Sequence, residues 1–490
     1  MKNIFSNNTS AWLVIITILG YFVILLLISF FTGRKADNNA FFLGNRKSPW
    51  YVVAFGMIGA SLSGVTFISV PGWVGTSSFS YMQMVLGYLL GYFVIANILM
   101  PMYYKLQLTS IYTYLDSRFG KYSYKTGASF FLLSRVIGAA FRLFLVANVL
   151  QITVFDAWDI SFPISVIITV LLIWLYTFRG GIKTIIWTDS LQTIFMLLAV
   201  GLSVYFISVE LKLDFSGLIK TIKDSEYSQI FFFDDWKDKN FFFKQFLAGA
   251  FITIVMTGLD QDMMQKNLSC KNIGEAKKNM FWFSVVLVPV NLLFLGLGAL
   301  LFLFANEKGI ALPELSDDLF PIIASGNLTP ILTIIFILGL IAAAYSSADS
   351  ALTALTTSFS VDILNINKHK EESKRKKIRM ITHVGFSILL VIVILLFRAI
   401  NDQNVISAIF TVAGYTYGPL LGLYAFGLFT KFRTLDSLVP WLAILSPVIA
   451  YFIKLGVAKW FNWEIGFELL IINGLITFFG LFLLRQNSSQ

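Results

Sequence analysis

The stretch "GMIGASLSGVTFISVPGWVG" (56–75) has the apolar content of a membrane helix but not the residues of a continuous one. Gly56, Gly59, Gly64, Ser61, Ser63, Thr66 and Pro71 interrupt its hydrophobic run. Hydrocarbon offers no partner for a bare N–H or C=O, so non-helical backbone at membrane depth is tolerated only where it lines a cavity. A second run, "TIVMTGLDQDMMQK" (253–266), has the same weakness at Thr253, Thr257, Gly258 and Asp260. Two interrupted helices, five spans apart, form the pattern of an inverted-repeat membrane protein with a binding site near the bilayer midplane.

The composition supports the membrane reading. The 490 residues are 57 % hydrophobic and 13 % charged, with a mean hydropathy of +0.77. Soluble proteins are roughly 25 % charged. Apolar runs long enough for a ~30 Å hydrocarbon core predict thirteen spans. They lie near 11–32, 51–76, 80–105, 126–153, 160–178, 184–209, 246–266, 280–305, 328–361, 380–399, 403–430, 437–456 and 464–484. The first, "AWLVIITILGYFVILLLISFF" (11–31), is too long for a signal-peptide core and no small-residue cleavage site follows it, so it reads as a retained helix. The whole chain, 1–490, reads as one all-α transmembrane domain. Its repeats would be 51–209 and 246–430, with an extra N-terminal helix at 11–32 and two C-terminal helices in 437–484.

Alternate loops hold 24 of the 37 basic residues, among them Lys35, Arg179, Lys266 and the run "KHKEESKRKKIR" (368–379). By the positive-inside rule these loops face the cytoplasm, which puts the N-terminus outside and the C-terminus inside. This sidedness accounts for the net charge of +10 and the pI of 9.4, so no nucleic-acid partner is expected. The 368–379 run reads as a solvated loop, with lipid headgroups as a second reading. Cys270, the single cysteine, excludes an intramolecular disulfide.

Arg135, Arg142, Asp189, Asp260, Asp262 and Asp349 fall at membrane depth. Each costs about 2.5–3.5 kcal/mol on the insertion scale, so such residues face a cavity or pair with one another. Arg142 and Asp262, nearer span ends, suit pairing. In "AAYSSADSALTAL" (343–355), Ser346, Asp349 and Ser350 share a helix face at i, i+3 and i+4, with Ser347 about 100° round. Ala342, Ala343 and Ala344 leave room for another backbone to approach. Oxygen ligands of this kind suit a hard cation, and with His369 and His383 as the only histidines no zinc or haem site is expected. The serines alone would read as interhelical hydrogen-bonding groups; Asp349 favours the cation.

Five segments carry a family resemblance: "YTFRGGIKTIIWTDSLQ" (176–192), "VTFISVPG" (65–72), "LTSIYTYLDSRFG" (108–120), "GLDQDMMQK" (258–266) and "SSADSALTALTTSFSVDI" (346–363). Together they resemble the sodium:solute symporter family over most of the chain, with motifs nearest its sialic acid and vitamin-type members. Ile182 and Thr184, after the double glycine, depart from the usual pattern. The resemblance implies a LeuT-like core of two five-helix repeats, and sodium-coupled import of a small organic solute by alternating access. It implies sodium as the only metal and no enzymatic activity. The sodium ligands would be the carbonyls of Gly59, Leu62 and Ala343 and the hydroxyls of Ser346 and Ser347. A second sodium, as in sialic acid members, would map onto Asp189, Ser346, Asp349 and Ser350. Asp349 stands where a serine is expected, and its charge either strengthens that site or makes it a proton carrier.

The same resemblance implies a solute pocket at Ser61, Ser63, Thr66, Gln83, Arg135, Thr253 and Met256. Thr253 and Met256 replace the asparagine and tyrosine of sugar carriers, which disfavours a sugar of that kind. Arg135, in "LLSRVIGAA" (132–140), matches the arginine that holds a carboxylate, a pairing suited to the guanidinium fork. Its second reading is neutralisation of a buried acid such as Asp189. Val85 stands where a glutamine is expected, with Gln83 two residues away. A carboxylate-bearing solute such as a sialic or sugar acid is therefore the expected cargo, with a neutral sugar, polyol, amino acid or vitamin as the alternative. A proton-coupled transporter or a channel is less favoured, since no repeated filter motif appears. The chain runs to "LLRQNSSQ" (483–490) without the soluble domain a transporter-like sensor would add. No nucleophile–base pair supports an intramembrane enzyme. A monomer in the plasma membrane is expected.

Overall fold

Runs this apolar leave the backbone one open-chain way to satisfy itself in lipid, and among the described residues every long element is a helix. The computed structural model describes residues 11–34, 37–178, 181–326, 329–368, 370–400 and 405–486. Lys35, Arg179, Gly180 and His369, used above for sidedness, motif and metal readings, lie outside them.

In chain order the helices are α1 (Ala11–Gly33), α2 (Trp50–Ser61), α3 (Gly64–Ser77), α4 (Tyr81–Lys105), α5 (Lys121–Leu150) and α6 (Phe162–Thr177). Then come α7 (Ile182–Glu210), α8 (Phe242–Gly258), α9 (Gln261–Leu268), α10 (Ile273–Lys308) and α11 (Pro330–Ile363). The last are α12 (Glu372–Ile400), α13 (Val405–Thr416), α14 (Gly418–Phe429), α15 (Val439–Phe461) and α16 (Leu469–Leu483). Among the described residues eight helices are long and apolar enough to cross a membrane, and two bent pairs meet the same test jointly: α2–α3 at 53° and α8–α9 at 64°. The helices α6, α14 and α16 are apolar but shorter.

The predicted spans differ from these helices mainly at their ends, and the span at 403–430 is two helices, α13 and α14, that part at Tyr417. The span at 126–153 starts at Lys121, that at 280–305 runs Ile273–Lys308, and that at 380–399 starts at Glu372. Hydropathy marks only the lipid-facing length, whereas helical hydrogen bonding continues into water until a cap stops it. On α10 the Asn272 side chain accepts from Glu275 N at one end, and Gly309, at φ 65°, closes the other.

Small residues set the closest packing. A Cβ on Gly87 of α4 would lie 2.0 Å from the Phe246 carbonyl oxygen, and one on Gly249 of α8 would lie 2.2 Å from that of Met84. The two helices therefore meet backbone to backbone, the contact that glycines permit in membrane bundles. Cys270 is buried between α9 and α10, and burial pushes its thiol up to about 12, which leaves it chemically quiet.

Replacing Gly87 or Gly249 by valine is expected to lower the thermal-unfolding midpoint in detergent, through an overpacking cost of about 1–3 kcal/mol. An unchanged midpoint for both variants would contradict this packing.

Candidate functional site

The first break is where the sequence put it. The helix α2 ends at Ser61, Leu62 adopts φ −86°, ψ 68°, and Ser63 adopts φ −66°, ψ 177° before α3 restarts. Leu62 N still reaches the Ile58 carbonyl at 2.9 Å, and Phe67 N reaches the Ser63 carbonyl at 3.0 Å. The carbonyls of Gly59, Ala60 and Ser61 thus sit at an open helix C-terminus, where the dipole favours a cation. Glycines bring this end close to its neighbours. A Cβ on Gly59 would meet Thr193 Oγ1 of α7 at 2.2 Å, and one on Gly64 would meet Ala344 Cα of α11 at 3.6 Å. Of the small residues 342–344, Ala344 is the one that Gly64 approaches. Ser346 and Ser347 follow within one turn, both fully buried.

The second break shows how freed backbone is satisfied at depth. Tyr103 OH donates to the Gly258 carbonyl at 2.8 Å, and Tyr112 OH donates to the Leu259 carbonyl at 2.9 Å. Asp260 caps α9 by accepting from Asp262 N at 2.9 Å. The turn sends α9 back into the bundle, and this relocates one residue counted above as a loop cation. Lys266 is 1 % exposed, and its Nζ lies 2.7 Å from Asp189 Oδ2. A hydropathy reading cannot see this, because it takes a lysine at the end of an apolar run to be in water.

The group expected to hold a second sodium is brought together. Ser346 Oγ donates to Asp189 Oδ1 at 2.8 Å, and Ser350 Oγ lies 3.2 Å from Asp349 Oδ1 and donates to the Ser346 carbonyl at 2.7 Å. Tyr176 OH donates to Asp349 Oδ2 at 2.9 Å. The cation bonded to Asp189 in this arrangement is the Lys266 ammonium. Asp189 and Asp349 are both 0 % exposed, so two buried carboxylates face a single ammonium.

Between the α2–α3 break, α4, α5, α8, α10 and α13 lies a partly open cavity lined by both polar and apolar side chains. Of the predicted solute residues, Ser61, Ser63, Thr66, Arg135, Thr253 and Met256 line it. Gln83 does not. Its Nε2 donates to the Asn240 carbonyl at 2.8 Å and its Oε1 accepts from Phe232 N at 3.2 Å, so it ties down the connection between α7 and α8. Period explains the error, since Gln83 lies on a different face of α4 from the tyrosines that reach the cavity. These are Tyr81, Tyr88 and Tyr92, a stripe at i, i+7 and i+11 that helical spacing alone could have identified.

Arg135 faces the cavity but is already engaged. Its Nη2 pairs with Asp262 Oδ2, and its Nη1 lies 3.7 Å from Asp260 Oδ2. The reading of Arg135 as a counter-ion to buried acids is the one this conformation displays, with Asp260 and Asp262 as the acids rather than Asp189. Arg142, assigned from sequence to pairing, instead lines the cavity.

Comparison with known proteins bears on this geometry. The model of the Sodium:solute symporter family matches residues 41–435. The sodium/sialic acid symporter NanT of Aliivibrio fischeri is 25 % identical over 91 % of this chain and 89 % of its own length. The sodium/sialic acid symporter SiaT of Proteus mirabilis is 26 % identical over 88 % of this chain and 87 % of its own. The substrate-bound, outward-open structure of a Na⁺-coupled sialic acid symporter shares the fold, with a TM-score of 0.81 at 20 % identity over 96 % of this chain and 97 % of that one.

Breaking the Lys266–Asp189 pair should be costly, because it strands buried carboxylates. Lys266→Ala is expected to lose about 3–5 kcal/mol of stability, read as a lower unfolding midpoint, and Lys266→Met combined with Asp189→Asn should recover most of it. A Lys266→Ala protein as stable as the parent would show that the pair does not form.

Proposed function

The chain belongs to the sodium:solute symporter family, and from that premise we propose that it imports a small organic carboxylate together with sodium, by alternating access in the plasma membrane. It is a multi-pass membrane transporter, not an enzyme, and sodium is its coupling ion. The proposed layout has thirteen crossings, with repeats 51–209 and 246–430 and the helices at 11–32 and 437–484 outside them. The N-terminus would be outside, the C-terminus cytoplasmic, and the unit a monomer in the bilayer.

One observation carries the sodium assignment: the helix breaks at Leu62–Ser63, and Gly64 just after the break lies against Ala344 of α11, within one turn of the buried Ser346 and Ser347. Carbonyls of Gly59, Leu62 and Ala343 with hydroxyls of Ser346 and Ser347 would give five neutral oxygens, a set that suits a monovalent hard cation. A sodium there joins two helices of different repeats. Its binding would favour the arrangement in which the pocket is assembled, so that sodium and solute bind with mutual linkage. On reaching the low-sodium cytoplasm the ion would leave and release the solute.

We count one sodium per cycle. Lys266 answers the Asp189 carboxylate, and were Asp349 ionised as well, a sodium on Ser346 and Ser347 would answer it. A carboxylate solute moving with one sodium carries no net charge, so the membrane potential would not drive it. The carboxylate itself is supported by two relatives whose names specify sialic acid and by an arginine-lined cavity. A neutral solute is the alternative.

In proteoliposomes, uptake should require an inward sodium gradient, show a sodium Hill coefficient near 1, and be unmoved by an imposed potential. Ser346→Ala and Ser347→Ala should each raise half-saturating sodium about tenfold, as loss of a ligand oxygen worth ~1–1.5 kcal/mol requires. A Hill coefficient near 2 with stimulation by inside-negative potential would put a second sodium beside Asp349. Uptake driven by a proton gradient without sodium would overturn the assignment.

A further inference from the structure

We infer that Arg142, rather than Arg135, is the residue that captures the anionic group of the solute, and that the solute is a hydroxy-carboxylate. The inference rests on the carboxylate reading above and deepens it.

Arg142 lies seven residues beyond Arg135 on α5. Two turns at 3.6 residues each return it to the same face, about 10 Å further along the helix. Both arginines line the same cavity. Their circumstances differ in one respect that decides between them. Arg135 is bound by Asp262 and Asp260. Arg142 has no carboxylate within salt-bridge distance among the described residues; the Nε of each arginine is buried with no hydrogen-bond partner, so the ion pairs alone distinguish them. A guanidinium has five N–H donors and keeps its charge at any physiological pH. Leaving such a group unpaired in a partly buried site is costly unless a ligand completes it.

The rest of the cavity lining holds no carboxylate; Asp260, whose charge reaches Arg142, is the acid beside Arg135. The cavity that Arg142 lines also presents Tyr81 and Tyr88 from α4, Met256 from α8, Ile409 and Phe410 from α13, and Asn291 from α10. None carries a negative charge. Asn291 is itself incomplete: its Nδ2 donates to the Leu287 carbonyl at 2.8 Å, while its Oδ1 is buried and accepts nothing. The cavity therefore offers one uncommitted cationic fork and one uncommitted acceptor. A carboxylate satisfies the first and a hydroxyl hydrogen the second, and the hydroxyls of Ser63, Thr66 and Thr253 can bond further oxygens of the same solute. An ammonium-bearing solute would meet Arg142 as a like charge, and an apolar one would leave both groups bare.

The test uses purified full-length protein in sodium chloride and in potassium chloride. The probes are sialic acid, gluconate and lactate, each with its carboxamide, read by thermal shift and titrated for apparent affinity. The wild-type protein should be stabilised by at least one carboxylate in sodium and not by its amide. Arg142→Gln should keep the stabilisation by sodium alone and bind that carboxylate on the order of 10- to 100-fold more weakly, with the preference over the amide lost. An Arg142→Gln protein that keeps both affinity and preference would overturn the inference while leaving the carboxylate reading intact. A wild-type protein that binds none of the carboxylates in sodium, or that binds amides equally well, would overturn the carboxylate reading itself, and the inference with it. Should Arg142→Gln lose the sodium-only shift through misfolding, the wild-type protein decides the matter. The carboxylate should protect Arg142 from phenylglyoxal, mapped by mass spectrometry, and equal modification with and without it would count against Arg142.

Discussion

A peptide group left bare in hydrocarbon costs several kcal/mol, and this chain breaks two of its membrane helices all the same. Both breaks occur where other groups are at hand. At Gly258–Leu259 the freed carbonyls take hydroxyls from Tyr103 and Tyr112. At the Leu62–Ser63 break, Gly59 lies against Thr193 of α7 and Gly64 against Ala344 of α11. On the proposed assignment a sodium would supply there the partner that tyrosines supply at the other break. It would then join α2 to α11, and its departure would be a conformational event rather than a simple dissociation.

Around the two breaks the buried charges form two sets with different consequences. Asp260 and Asp262 hold Arg135 and brace the second break. Asp189, Asp349 and Lys266 form a second set beside Ser346, two carboxyl groups with one ammonium. A cation held in such a dry site binds more strongly than in water, since the effective dielectric there is far lower. Arg142, which has no ion-pair partner among the described residues, lines the cavity. On the proposed function, sodium and an organic anion would each answer a different one of these places.

Most of the fold was legible in the sequence because the solvent imposes it. Apolar length marks the helices, and the glycines, serines and Pro71 of 56–75 and Thr253, Thr257, Gly258 and Asp260 of 253–266 mark the breaks. The site was legible in part. Ser346, Ser347 and the alanines before them could be read from spacing and residue size, and the resemblance supplied Ser61, Ser63, Thr66, Thr253 and Met256. The failures share a cause. Lys266, Gln83, Arg135 and Arg142 are long polar side chains whose use depends on where a neighbouring element lies in space. Lys266 looked like a loop cation until the bend at α9 turned it inward. Arg135 and Arg142 differ only in which has aspartates across the gap, and no periodicity within α5 records that. The tyrosine stripe of α4 is the exception, since its spacing was open to view.

The account's central claim is that sodium at the α2 break and a carboxylate in the cavity report on the same conformation. Linkage makes this directly measurable as sodium affinity with and without saturating solute, set against solute affinity with and without saturating sodium. The account predicts that each ligand tightens the other by the same factor, and that Ser347→Ala reduces both factors together. A sodium affinity indifferent to the solute would contradict it.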